Sequence, residues 1–146
     1  MKDWPETLPL TSPRFGLFLA LDARQIRDDN LLSFARTLVK QGLTMACVWG
    51  PDCERVHDRI DDAIMESCAE EDEPSVILTT WHTEENREEA LEFFVETLEP
   101  ATALRYSSSS RLAVSVGSEA YAETIGNWLK QAKRIPVPGT WYRFTG

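Results

Sequence analysis

No apolar run in this 146-residue chain approaches the ~18 residues that a bilayer-spanning helix needs, so no membrane span is expected. The first residues, MKDWPETLPLTSPRF, hold acids and prolines but no apolar stretch, which excludes a secretory signal there. Cysteine is scarce and odd in number. Cys47, Cys53 and Cys68 cannot close a disulfide framework, and free thiols point to the reducing cytoplasm. Their spacings, C-x5-C and C-x14-C, lack the paired C-x2-C of zinc sites. His57 and His82 could be added to make a mixed site, but their spacings do not match the usual ligand patterns and no metal is expected. Neither G-x-G-x-x-G nor G-x-x-x-x-G-K-[ST] occurs, so no nucleotide cofactor is expected.

Positive charge is also short. The chain has 15 Lys and Arg against 24 Asp and Glu, a formal charge of −9. The imbalance is concentrated. Asp52 to Glu99 contains 17 acids against Arg55, Arg59 and Arg87, a net of −14; seven acids against 12 Lys and Arg remain elsewhere, a net of +5. Such a middle repels nucleic-acid phosphates and attracts a basic partner. The plainer reading is a solubilising face.

What is present suits a globular protein. A chain of this length buries about two thirds of its unfolded surface and needs no metal or disulfide to fold. One domain is expected over 1–146: an extended, proline-bearing lead-in at 1–13, an α/β core at 14–134, and a C-terminal extension or edge strand at 135–146.

Phe15 to Asp22, FGLFLALD, is nearly all apolar and reads as a strand covered on both faces. Asp28-Asp29-Asn30 offers N-cap chemistry for a helix whose Leu31, Phe34, Ala35, Leu38 and Val39 form one stripe, closed by Gly42. Leu43 to Trp49 is a second strand. Gly50-Pro51 breaks it, and Asp52 is placed to cap a helix carrying Val56, Ile60 and Ile64 on one face. An acidic loop at 69–74 leads to a third strand, Ser75 to Thr80, and Trp81-His82-Thr83 is expected to turn the chain. A helix follows from Thr83 to about Leu98, with Ala90, Leu91, Phe94, Val95 and Leu98 inward and Pro100 as its stop. A serine-rich loop, a strand at Arg111 to Gly117, a helix at Ser118 to Arg134 and an edge strand at Thr140 to Phe144 complete the chain. Alternation of buried strands with amphipathic helices predicts a three-layer, doubly wound sandwich, flavodoxin-like or Rossmann-like, with a mostly parallel sheet of four to five strands.

Ligand sites in such sheets lie beyond the carboxyl ends of the strands. That rule selects Asp22 and Arg24, then Trp49, Asp52 and Cys53, then Thr80, Trp81 and His82, with His57 one turn along the second helix. Cys53 at a helix N-terminus could be a nucleophile with His82 as base and Asp52 beside them, although Asp52 and Glu54 oppose a thiolate. The ordinary alternative is a small buried thiol in a turn. Asp22, Asp52 and His82 could instead form a metal-dependent hydrolase. Cys53 and Arg59 satisfy C-x5-R, but the bulky ERVHD between them cannot form a phosphate-binding loop.

Glu84, Glu88, Glu92 and Glu96 form a ridge at intervals of four. Like charges so spaced cost a few tenths of a kcal/mol per pair, which makes the ridge a candidate docking face. The motif words W-G-P-D-C-E-R-V-H-D, Trp49 to Asp58, and T-T-W-H, Thr79 to His82, resemble a family of small bacterial proteins known as a domain of unknown function. The resemblance spans roughly Phe15 to Trp128 and implies a bacterial cytoplasmic α/β domain without assigning an activity. With no complete catalytic motif, the favoured reading is a non-catalytic interaction or regulatory module for a basic protein. The alternative is an enzyme or small-ligand binder at the strand ends.

Overall fold

The computed structural model describes residues 14–69, 77–84, 86–103, 110–116, 123, 127 and 140–144. The expected lead-in at 1–13, the acidic loop at 70–74, the serine run at 107–109 and most of the final helix lie outside them. Glu123 and Asn127, from that last helix, are helical and exposed.

The elements are β1 (Phe15–Leu21), α1 (Asp28–Gln41), β2 (Leu43–Trp49), α2 (Cys53–Cys68), β3 (Leu78–His82), α3 (Arg87–Ala103), β4 (Ser110–Val116) and β5 (Thr140–Phe144). The strands form one sheet in the order β3-β2-β1-β4-β5. Every neighbouring pair is parallel. Among the described residues no helix is long and apolar enough to cross a membrane.

β1 is central, and all seven of its residues are buried. Its side chains alternate between two cores, as strand pleating requires. Phe15, Leu17, Leu19 and Leu21 join α1 and α2, through Leu31, Phe34, Leu38, Val56 and Ile60. Phe18 and Ala20 join α3, through Ala90, Leu91 and Phe94. Helices therefore cover both faces. The alternation slips in β2, where Leu43 shares a face with Ala46 and not with Met45. A register shift explains it: Phe15 pairs with Leu43, but Gly16 pairs with Met45. The skipped residue, Thr44, donates its hydroxyl to the Phe15 carbonyl at 2.9 Å. Such a bulge inverts the pleat beyond it.

Helix ends depart from the sequence expectation. Gly42 does close α1, in the left-handed region at φ 102°, donating to the Leu38 and Val39 carbonyls. At the other end, Asp28 and Asp29 lie inside the first turn, and the N-cap is Arg27 without a side-chain cap. Asp52 holds the N-cap position of α2 but does not cap it; its φ is 64° and its carboxylate takes Arg55 Nε at 2.8 Å. An aspartate spent on an ion pair cannot also bond the helix amides. α3 begins at Arg87, not Thr83, because Asn86 supplies the cap. Asn86 Oδ1 accepts the Glu89 N–H at 2.9 Å, and Glu89 Oε2 accepts the Asn86 N–H at 3.1 Å. This reciprocal pair is a capping box. α3 also continues past Pro100 to Ala103.

The third strand needs the largest correction. Trp81 and His82 were expected to turn the chain, yet they are the last two residues of β3, paired with Val48 and Trp49 of β2. The pairing groups of a long β2 stay satisfied only if β3 runs equally far.

Candidate functional site

The carboxyl ends of β1 and β2 are stitched together by the chain's own groups. Ala23 N–H donates to the Pro51 carbonyl at 3.0 Å. Gly50 sits at φ +123°, and a Cβ there would run into the Leu21 carbonyl oxygen. Arg55 spreads its guanidinium over the junction. It donates to the Ala23 and Ile26 carbonyls and pairs with Asp28 at 2.6 Å and Asp52 at 2.8 Å. A planar fork with five donors suits such a hub. The carboxyl ends of β1 and β2 are thus tied to each other by the chain's own groups.

Arg24 donates to the Asp22 carboxylate from Nε at 2.9 and 3.1 Å, from Nη2 at 2.5 Å and from its backbone N–H at 3.1 Å. The Arg24 guanidinium holds the Asp22 carboxyl below its ordinary range. The strand order reverses between β1 and β4, and ligands of open α/β sheets bind at such a reversal. Of the residues selected from the sequence, only Asp22 and Arg24 stand there. The partner loop after Val116 is outside the described residues.

Cys53 and His82 are brought close, but not as nucleophile and base. Cys53 is fully buried in the α1–α2 core, and its thiol donates to the backbone carbonyl of His82 at 3.5 Å. The His82 ring lies on the other side of the sheet, 4.9 Å from the Phe93 ring of α3, with Nε2 3.1 Å from Thr80 Oγ1. Burial pushes the Cys53 thiol up from its ordinary value, and the backbone contacts to His82 and Gly50 only partly offset this. Enclosure and the raised thiol both work against nucleophilic attack from Cys53. Asp52, the third of this set, is engaged by Arg55. Among the described residues no three His, Cys, Asp or Glu side chains gather as a metal-holding group, so Asp22, Asp52 and His82 do not converge.

His57 anchors a cluster that sequence reasoning only touched. It is largely buried on α2, with Nε2 3.1 Å from Thr79 Oγ1 and Nδ1 3.2 Å from Asp58. Its ring lies 4.4 Å from that of Trp81. A threonine, histidine and aspartate in this order resemble a hydrolytic triad. Proton counting removes the likeness. The single Thr79 hydroxyl proton goes to Asp61 at 2.6 Å, so His57 Nε2 must donate to Thr79 rather than accept from it. The cluster fastens α2 to the edge strand through Thr79, His57 and Asp61; it does not activate a nucleophile. The sequence reading placed Thr79 in a strand-end motif without a partner and passed over Asp61, because their partnership depends on a tertiary contact between residues 18 apart.

On the opposite face of the sheet, Trp49 packs against the α3 core with Arg87 5.6 Å above its ring. Glu88, Glu92 and Glu96 are exposed along α3, with no ion pair recorded for them among the described residues. Glu84 is exposed too, but precedes the helix and so does not continue its ridge.

Against known families, residues 2–132 match the model described as Domain of unknown function (DUF7684). The chain belongs to that family. No curated protein and no solved structure matches it. Membership in DUF7684 accounts for the stretch from β1 through β4 and supplies no activity for any of the residues above.

Proposed function

We propose that this DUF7684 chain is a non-catalytic interaction or regulatory module that binds a basic protein through its acidic face. The observation that carries the reading is the exposed row of Glu88, Glu92 and Glu96 on α3, which makes no ion pair among the described residues and is preceded in the helix by one cation, Arg87, set over the Trp49 ring. A helix tuned only for stability would intersperse lysines along that row. The candidate chemistry elsewhere is committed internally: Asp22 to Arg24, Asp52 to Arg55, Cys53 to a backbone carbonyl. The same reading takes the sheet, with its 3-2-1-4-5 order and helices on both faces, as a doubly wound, Rossmann-like sandwich forming one domain. It also takes the setting to be a bacterial cytoplasm, which suits three free cysteines.

The test compares three baits in extracts, with bound proteins identified by mass spectrometry: wild type, the reversal Glu88→Lys/Glu92→Lys/Glu96→Lys, and Cys53→Ser. A basic protein retained by wild type and Cys53→Ser but lost by the reversal is expected. Identical prey on all three sinks the proposal.

A further inference from the structure

β3 is one edge of the sheet, and among the described residues nothing pairs with its outer side. Its sequence, LTTWH, contains no lysine, proline or acid. Edge strands usually carry such residues, or a bulge, to prevent pairing with other chains. Here the edge is apolar as well. Leu78 is 42% exposed and Trp81 44%, and Phe93 of α3, against His82, is 38% exposed. Apolar groups grouped on a free edge mark an interaction site.

Acids flank this edge on both faces. Toward α2, Asp61 bonds Thr79 directly, and Asp58 bonds the histidine that packs on Trp81; both carboxylates remain about half exposed. Toward α3, Glu89, Glu92 and Glu96 surround Phe93 in sequence, and all are exposed. Two acidic margins disfavour a second copy of this chain, which would bring the same charges face to face. They favour a strand with cationic side chains, because side chains of an extended peptide alternate between the two faces.

We infer that β3 is a docking edge for an extended segment of a basic protein. The segment adds as a sixth strand, with lysines or arginines over the acidic margins and apolar residues against Leu78, Trp81 and Phe93. This mode of strand addition takes its affinity from main-chain hydrogen bonds and its selectivity from the flanking side chains. The inference rests on the acidic-face reading for the charge of the partner and adds the place and geometry of contact.

The probe is a capped eight-residue peptide, Lys-Lys-Val-Val repeated, which sets both residue types on each face of an extended strand, with a control N-methylated on alternate residues to remove the donors along one edge. Both are titrated into the full chain while amide exchange and amide chemical shifts are followed by NMR. The expected result is that exchange of the outward-facing amides within Leu78–His82 slows about tenfold with the plain peptide and not with the control. Equal binding of both peptides, with shifts on α3 alone, overturns strand addition while leaving the acidic face standing. Loss of plain-peptide binding in Glu88→Lys/Glu92→Lys supports the charge component. No response to either peptide at millimolar concentration overturns the inference, and the acidic face is then judged by the bait comparison. Slow exchange throughout Leu78–His82 in the free chain also overturns it, because the edge is then already covered. Dependence on dilution would identify that cover as a second copy, and independence as the chain's own segment.

Discussion

Cys53 illustrates how position and environment compete. A helix N-terminus lowers a thiol, and that position is what the sequence revealed. Complete burial raises it, and here burial wins. The sign of the linkage follows. A group whose folded value lies above its unfolded value contributes stability that is fully present below the unfolded value of ~8.5. That contribution is lost as pH rises through the folded value. Alkaline denaturation should therefore show a component in wild type that is missing in Cys53→Ala, read as the change in urea midpoint between neutral pH and pH 10. Alkylation at neutral pH, followed by mass spectrometry, should label the half-buried Cys68 well ahead of Cys53. Faster labelling of Cys53 near pH 6 to 7 would reinstate the nucleophile and defeat this account.

Elements governed by their own local pattern were legible from the sequence. The stripe of α1, the glycine that ends it, and the apolar β1 all depend on periodicity within one segment. What was not legible depends on distant partners. The length of β3 follows from its pairing with β2, the inverted pleat of β2 from a bulge opposite Phe15, and the role of Asp52 from Arg55. The residues near the strand ends can be picked out once the strands are, yet strand order decides which stand at the reversal, and order is a property of the sheet. The start of α3 was misread because Thr83 offered a plausible cap three residues before the better one. Asn86 and Glu89 satisfy each other's backbone amides, so Asn86→Ala should destabilise the chain by about 1 kcal/mol. Urea unfolding measures this, and Thr83→Ala, away from the cap, should change little. A larger loss for Thr83→Ala would move the helix start back to the sequence expectation.

Charge distribution makes a claim about the molecule as a unit. The span from Asp52 to Glu99 holds a net −14, and the ion pairs recorded within it, Arg55 with Asp52 and Arg59 with Asp62, offset little of that. Arg36 with Glu66 and Arg24 with Asp22 are exposed pairs, and solvent screening leaves such pairs little net effect on stability. Screening weakens those pairs but also relieves repulsion among many more carboxylates, and the larger number prevails. The midpoint of thermal unfolding should rise between about 20 and 200 mM sodium chloride, a range in which the Debye length falls from roughly 20 to 7 Å. Glu88→Lys/Glu92→Lys should flatten that rise, because it removes repulsion at the ridge itself. A midpoint that falls with salt would mean that the pairs outweigh the repulsion. The acidic face would then be internally balanced, and it would have little attraction left for a basic partner.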